Sequence, residues 1–305
     1  MRHPSALPEP FAHEPFSVSQ ALGAGIPNKR LWARDLEKPF WGVRSHSAST
    51  FRERAGALAT RLPDNAVFSH ETAARLWGMP IKKPFDDRLH VAVPPGHPMP
   101  RGAGVRGHRM AFDRHDVWRI GGLLVTSQGR TWCDLAATTS AEELVALGDY
   151  VLWRRRKQKL TRAELVAATF AFTGRRGRVA IAHCVPLLTE RSDSRPESLF
   201  RYRAIAAGLP TPLPNFEIRN SANRLVAIPD LAWPKYKFCF DYEGEHHFTD
   251  ANQWAKDLSR VPRIEDEGWK HVRAGKEDLG DSRFMLALLG RRLRSLGWDG
   301  RPTSP

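Results

Sequence analysis

Cysteine is scarce: Cys133, Cys184 and Cys239 are the three in 305 residues. They lie far apart and form no CxxC pair, so no disulfide framework is expected. Three buried thiols in a reducing cytoplasm are. Long apolar runs are also missing. No stretch reaches about 18 apolar residues, so no membrane span is expected. The N-terminal MRHPSALPEPFAHEPF lacks the unbroken apolar core of a signal peptide. Acidic residues are in deficit, with 33 Asp and Glu against 47 Lys and Arg and a formal charge of +14. That excess favours a polyanionic partner. Nucleic acid comes first, because each neutralised phosphate releases counterions. An anionic membrane surface comes second, but no basic amphipathic helix with a clean apolar face stands out. What the chain does have is 41% hydrophobic residues, enough for real cores, and a length that favours two or three domains.

Residues 1–14 are rich in Pro and His and are expected to be disordered. Residues 15–60 read as a winged helix-turn-helix. Ser17 to Ala24 forms a short helix that Gly25 closes. A second helix opens at Pro27 or Asn28 and reaches Leu36, with Leu31, Trp32 and Leu36 as its apolar positions. EKPFWGVR follows as a small wing. Lys29, Arg30 and Arg34 then lie where a recognition helix carries DNA contacts.

Residues 61–140 read as an α+β middle domain. AVFSHETAARLWGMP runs from a strand into a helix capped by Ser69. RLHVAVPP and GGLLVTS alternate like strands, a Pro- and Gly-rich loop follows the first of them, and GRTWCDLAA opens a further helix. His70 is expected to be structural, because neighbours on a helix do not face each other and no third orienting group can be named. Residues 141–190 read as a helical basic connector. Arg154, Arg155, Arg156, Arg175 and Arg176 there are candidates for tracking phosphates.

The last unit, 191–298, with a tail at 299–305, reads as α-β-β-β-α-β-α, a mixed sheet covered by helices. Ser194 caps its first helix, with Glu197 three residues on. RLVAIPDLAW and YKFCFDYEGE read as paired strands around a Pro234–Lys235 turn. A two-residue turn places Asp230 opposite Cys239, on one sheet face with Asp241 and Glu243, and makes Asp230 and Asp241 diagonal neighbours about 7–8 Å apart. Carboxylates crowded on a strand repel one another. A hard cation such as Mg²⁺ removes that penalty and can activate water for phosphoryl displacement.

SRPESLFR…AAGLP…PDLAWP…FDYEGEHH…QWAKDLSR…GWKHVRA resembles the nuclease domain related to very-short-patch-repair endonuclease, in the PD-(D/E)xK superfamily. The resemblance covers about 192–298 and implies a restriction-endonuclease-like fold. It implies Asp230, Asp241 and Glu243 as Mg²⁺ (or Mn²⁺) ligands, Glu197 as the helix carboxylate and His247 as the catalytic imidazole. Asp257 and Arg260 match a polar pair on the following helix. Two positions depart from that pattern. The paired acids are Asp241-Tyr242-Glu243 rather than Glu-Tyr-Asp, and the superfamily's lysine is replaced by Glu243. The 15–45 segment and SHETAARLWG…LHVAVPP…GLLVTSQGRTWCDLAA resemble AbiEi-like type IV antitoxins. That likeness implies a DNA-binding, regulatory or toxin-neutralising ancestry without identifying a toxin partner.

Two expectations result: a Mg²⁺-dependent DNA endonuclease of mixed α/β (α+β) fold, and a DNA-binding antitoxin-like regulator whose nuclease fold is inactive or attenuated.

Overall fold

The computed structural model describes residues 4–82, 86–244 and 260–301. The fold is mixed α/β, as expected, and divides into two compact units. The first comprises residues 1–135 and 168–175. The second comprises 136–167 and 176–305.

In the first unit, β1 (Phe16–Ser17) leads directly into helix α1 (Val18–Gly23) and pairs antiparallel with β2 (Val43–Arg44). Ser17 and Gln20 close a capping box at the start of α1. The second helix of the expected pair is shorter and tighter than the sequence suggests: a 3₁₀ segment, Asn28–Trp32, that stops at Ala33. Leu31 and Leu36 are buried as expected, but Trp32 is 61% exposed. The segment expected as a wing closes through an isolated antiparallel bridge between Glu37 and Ser45. Residues 4–14 are not a loose tail: Leu7 is buried in a small core with Phe16, Ala21 and Leu31, and Phe11 packs edge-on against Phe16.

Helix α2 (Phe51–Ala59) lies between this region and a five-stranded sheet ordered β5-β4-β3-β7-β6. Its strands are β3 (Val67–Phe68), β4 (Leu89–Val93), β5 (Val105–Arg109), β6 (Val117–Ile120) and β7 (Leu123–Thr126). Helices α3 (His70–Leu76) and α4 (Gln128–Leu135) follow β3 and β7. Strands β5 and β6 were not legible in the sequence, because VRGHR and VWRI do not alternate apolar and polar residues. Phe40 and Val43 of the wing share one core with Phe68, Val91 and Val125 of the sheet. The expected boundary at residue 60 therefore does not separate two cores.

In the second unit, helix α5 (Ala141–Leu152) packs on α8 (Arg195–Ala206), so residues 141–167 and 176–190 of the expected connector belong to the C-terminal unit, and 168–175 to the first. Buried Asp149 fastens the two helices: it accepts from Arg201 Nη2 (2.8 Å), Ser198 Oγ (2.7 Å) and the backbone N–H of Thr189 (2.7 Å). Helices α6 (Arg162–Ala171) and α7 (Arg178–Cys184) lie between them in sequence.

The four-stranded sheet runs β13-β12-β11-β8, from β8 (Leu213–Pro214), β11 (Leu231–Trp233), β12 (Phe238–Tyr242) and β13 (Lys270–Ala274). The run RLVAIPDLAW, expected as one strand, is two. Residues Leu225–Ala227 form β10, which pairs with β9 (Ile218–Arg219) in a separate ribbon. Pro229 has no backbone donor and breaks the run before β11. One sheet face, with Leu231, Trp233, Phe238 and Phe240, packs against Phe200 of α8 and Leu289 and Leu293 of the terminal helix α10 (Arg283–Ser295), which follows the short α9 (Lys276–Gly280). The other face carries Ala232 and Cys239 against Ile218, Ile264 and Trp269. Residues 260–266 are helical, with Pro262 inside that stretch. Among the described residues, no helix is long and apolar enough to cross a membrane.

Candidate functional site

The hairpin turn sets the site. It is four residues long rather than two: a 3₁₀ segment at Pro234–Tyr236 followed by Lys237 in the left-handed region at φ 44°. Leu231 therefore faces Phe240, and Ala232 faces Cys239. Continued by one step, this register sets Asp230 opposite Asp241, not opposite Cys239. A change of two residues moves the pairing but keeps the face, because side chains alternate with period two. The expected diagonal pair is thus a direct one.

Each aspartate carboxylate accepts from the backbone of the facing strand. The N–H of Asp230 donates to Asp241 Oδ1 (2.9 Å), and the N–H of Tyr242 donates to Asp230 Oδ2 (2.7 Å). Asp241 is buried and fully engaged. Its Oδ1 also accepts from Arg260 Nη2 (3.1 Å), which reaches on to the carbonyl of Ile228 (2.6 Å), and its Oδ2 meets His271 Nε2 at 2.7 Å. The His271 hydrogen bond and the Arg260 charge outweigh burial and hold the Asp241 carboxyl below its ordinary value.

Asp230 is opposite in character. Burial, with Glu197 and Asp241 as negative neighbours, pushes its carboxyl up to about 8. Glu197 is buried on the first turn of α8, and burial raises its carboxyl too. Its backbone N–H takes the Ser194 hydroxyl as expected for a capped helix (3.3 Å). Its side chain, however, accepts from the N–H of Asp193 (2.9 Å) and from Asn215 Nδ2 (2.8 Å). Asn215 is itself held by Arg191: it donates to the Arg191 carbonyl at 2.8 Å. Among the described residues neither Asp230 nor Glu197 forms an ion pair, although the Arg260 charge reaches Asp230, while Asp241 has taken Arg260 and His271 directly.

Glu243 does not join them. It is exposed and forms an ion pair with Arg273 (2.7 Å). Its place as a metal ligand is not supported by where its side chain sits. His247, with His246 and Asp257, lies outside the described residues.

The basic run 154–156 is adjacent through a single side chain. Asp193, whose backbone caps Glu197, accepts from Trp153 Nε1 (2.8 Å) and pairs with Arg155 (3.0 Å) and Arg154 (3.8 Å). Arg156 stacks on the Tyr150 ring (4.2 Å). Arg175 and Arg176 are exposed. In the first unit, Lys29 and Arg34 are exposed, but Arg30 is consumed by a two-pronged pair with Asp35 (3.0 and 2.7 Å) and by the carbonyl of Ser5 (2.6 Å). Its assignment to a DNA-reading surface is corrected accordingly. The surface there is instead aromatic and basic. Lys38 Nζ and Arg44 lie over the exposed Trp32 ring at 4.3 and 5.0 Å, and Arg61 lies 5.5 Å from the ring of Trp41, which is 86% exposed.

His271, Asn215 and Asp193 are contributors that sequence reasoning missed. His271 stands in parallel register with Cys239, so its approach to Asp241 follows only once β13 is known to pair with β12. The three cysteines are free and buried, as expected.

No family model matches the chain. An uncharacterized protein of Mycobacterium tuberculosis, in strains CDC 1551 / Oshkosh and ATCC 25618 / H37Rv, is 27% identical over 240 residues. The match covers 78% of this chain and 84% of the relative.

Proposed function

We propose that the C-terminal unit is a divalent-cation-dependent DNA endonuclease centred on Asp230 and Glu197. The observation that carries this reading is the half-buried Asp230 carboxyl beside the buried Glu197 carboxyl, both pushed up, next to a basic turn that Asp193 anchors. A hard cation such as Mg²⁺ or Mn²⁺ would be held by Asp230, with Glu197 positioning water or a second ion. Its role would be to activate water and stabilise the charge of an in-line displacement. Arg154, Arg155, Arg175, Arg176, Lys29 and Arg34 would supply the sequence-independent grip on DNA. Exposed Trp32 and Trp41, each with a cation over its ring, suit stacking on unpaired bases.

A second reading is favoured by one observation. Asp241 spends both oxygens on Arg260, His271 and the backbone, and Glu243 turns to Arg273. A protein that keeps the fold but has closed part of the ligand set would be a DNA-binding regulator of antitoxin type. Cleavage of supercoiled plasmid and of mismatched duplex in Mg²⁺ and Mn²⁺ separates the two. The endonuclease reading expects nicking by the wild type that disappears in Asp230→Ala. DNA binding without cleavage by either protein supports the regulator, and equal cleavage by both removes Asp230 from the chemistry.

A further inference from the structure

Three histidines from three different elements meet in the first unit. His70 opens α3, His90 lies in β4 and His108 lies in β5. One ring nitrogen of each falls within 4.8 Å of the others. Strands β4 and β5 run parallel with His90 beside Arg106 and Ala92 beside His108, so the two imidazoles are diagonal neighbours on adjacent strands. His90 Nδ1 and His108 Nε2 are 3.2 Å apart. Two nitrogens bound to one tetrahedral zinc at about 2.05 Å are separated by about 3.3 Å, so this spacing is already that of a ligand pair. The His70 ring stacks on His108 at 3.8 Å and brings in the third donor.

Two further features prepare the cluster. His70 sits at φ 48°, in the left-handed region that a non-glycine residue rarely occupies, at the first position of a helix. Ser69 makes no side-chain cap to that helix; its hydroxyl instead lies 3.0 Å from His70 Nδ1. Behind His90, Asp86 meets Nε2 at 3.4 Å and is itself held by Arg88 (2.8 Å) and Arg106 (3.3 Å). Paired with two arginines, the Asp86 carboxylate serves His90 as an acceptor. His90 therefore carries its proton on Nε2 and keeps the Nδ1 lone pair facing His108. A carboxylate behind a ligating imidazole is the arrangement that fixes tautomer and orientation at metal centres.

We propose that His70, His90 and His108 form a zinc(II) site with three imidazole donors and a solvent-derived fourth ligand, clasping α3 to β4 and β5. Imidazole donors without thiolate or carboxylate in the set select Zn²⁺ and its borderline neighbours over Mg²⁺. The site is independent of the acidic cluster of the other unit in both residues and metal preference. On binding, the ion replaces the His108 Nε2 proton shared with His90 Nδ1, and the His108 proton moves to its other ring nitrogen, so the ring stays neutral.

The test is a Co²⁺ and Zn²⁺ titration of untagged, full-length, chelator-treated protein, with Co²⁺ followed by its visible ligand-field bands. The variants are His70→Asn, which suits a left-handed backbone position, and His108→Gln on the half-exposed edge strand. Far-ultraviolet circular dichroism confirms that both fold. The expected result is about one equivalent of Co²⁺ with the strong visible absorption of a tetrahedral site, displaced by Zn²⁺, and affinity weakened at least tenfold in each variant. No stoichiometric uptake by the wild type, or uptake that either folded variant leaves unchanged, overturns the proposal. If one variant does not fold, the other decides.

Discussion

Asp230→Asn is expected to stabilise the protein, and the gain should depend on pH in one direction. In the unfolded chain the Asp230 carboxyl titrates near its ordinary value of 3.8; in the fold it is raised to about 8. Below the first value it is protonated in both states and contributes no difference. As pH rises towards the second, only the unfolded chain ionises freely, so the fold loses stability by ~1.4 kcal/mol per pH unit. Above the folded value the penalty is complete. The roughly four-unit gap sets an upper bound of ~6 kcal/mol. Asparagine still buries a polar group, and Glu197 can take up a proton in place of Asp230, so a gain of about 2 kcal/mol at pH 8 is expected. The amide oxygen can keep the Tyr242 N–H bond. Urea denaturation at pH 4.5, 6 and 8 in chelator measures this. The variant's advantage should be smallest at the lowest pH, about 1 kcal/mol or less, and grow progressively above. Mg²⁺ at pH 8 should restore stability to the wild type and leave the variant unmoved. A variant that is less stable at pH 8, or a difference that does not change with pH, would refute the reasoning.

Other expected outcomes rest on single contacts. Asp149→Ala leaves Arg201 buried without its partner and should cost about 3–5 kcal/mol in urea denaturation; a loss under 1 kcal/mol would contradict the role given to this pair. Glu243→Gln removes only an exposed pair with Arg273. It should change stability by no more than about 1 kcal/mol and leave any Mg²⁺ response intact, whereas loss of that response would return Glu243 to the ligand set. Burial pushes the Cys133 and Cys239 thiols up to about 12 and Cys184 to about 11. A thiol reagent at pH 8 should therefore label none of the three in the native protein and all of them after denaturation.

The sequence carried which carboxylates share a sheet face better than which residues stand opposite one another. Alternation and the Pro-Lys turn were enough to set Asp230 and Asp241 on one face, because face depends only on whether the turn is even. Which residues stand opposite depends on turn length, and nothing local announces that Lys237 takes a left-handed conformation and extends the turn to four. The capping motif at Ser194 and Glu197 was legible, but the fate of the Glu197 carboxylate was not, since Asn215 reaches it from β8's far end. The histidine cluster was illegible for a similar reason. His70 was set aside because its neighbours on α3 cannot face it. Its partners come from β4 and from β5, a strand whose lack of alternation hid it.

The central claim is that the acids around Asp230 exist for a hard cation. The most direct measurement is an Mn²⁺ titration followed by electron paramagnetic resonance, on wild type, Asp230→Asn and His70→Asn, with zinc present to fill any imidazole site. The account predicts Mn²⁺ uptake by the wild type and by His70→Asn, abolished in Asp230→Asn. Absence of uptake by the wild type, or uptake that survives in Asp230→Asn, would contradict it.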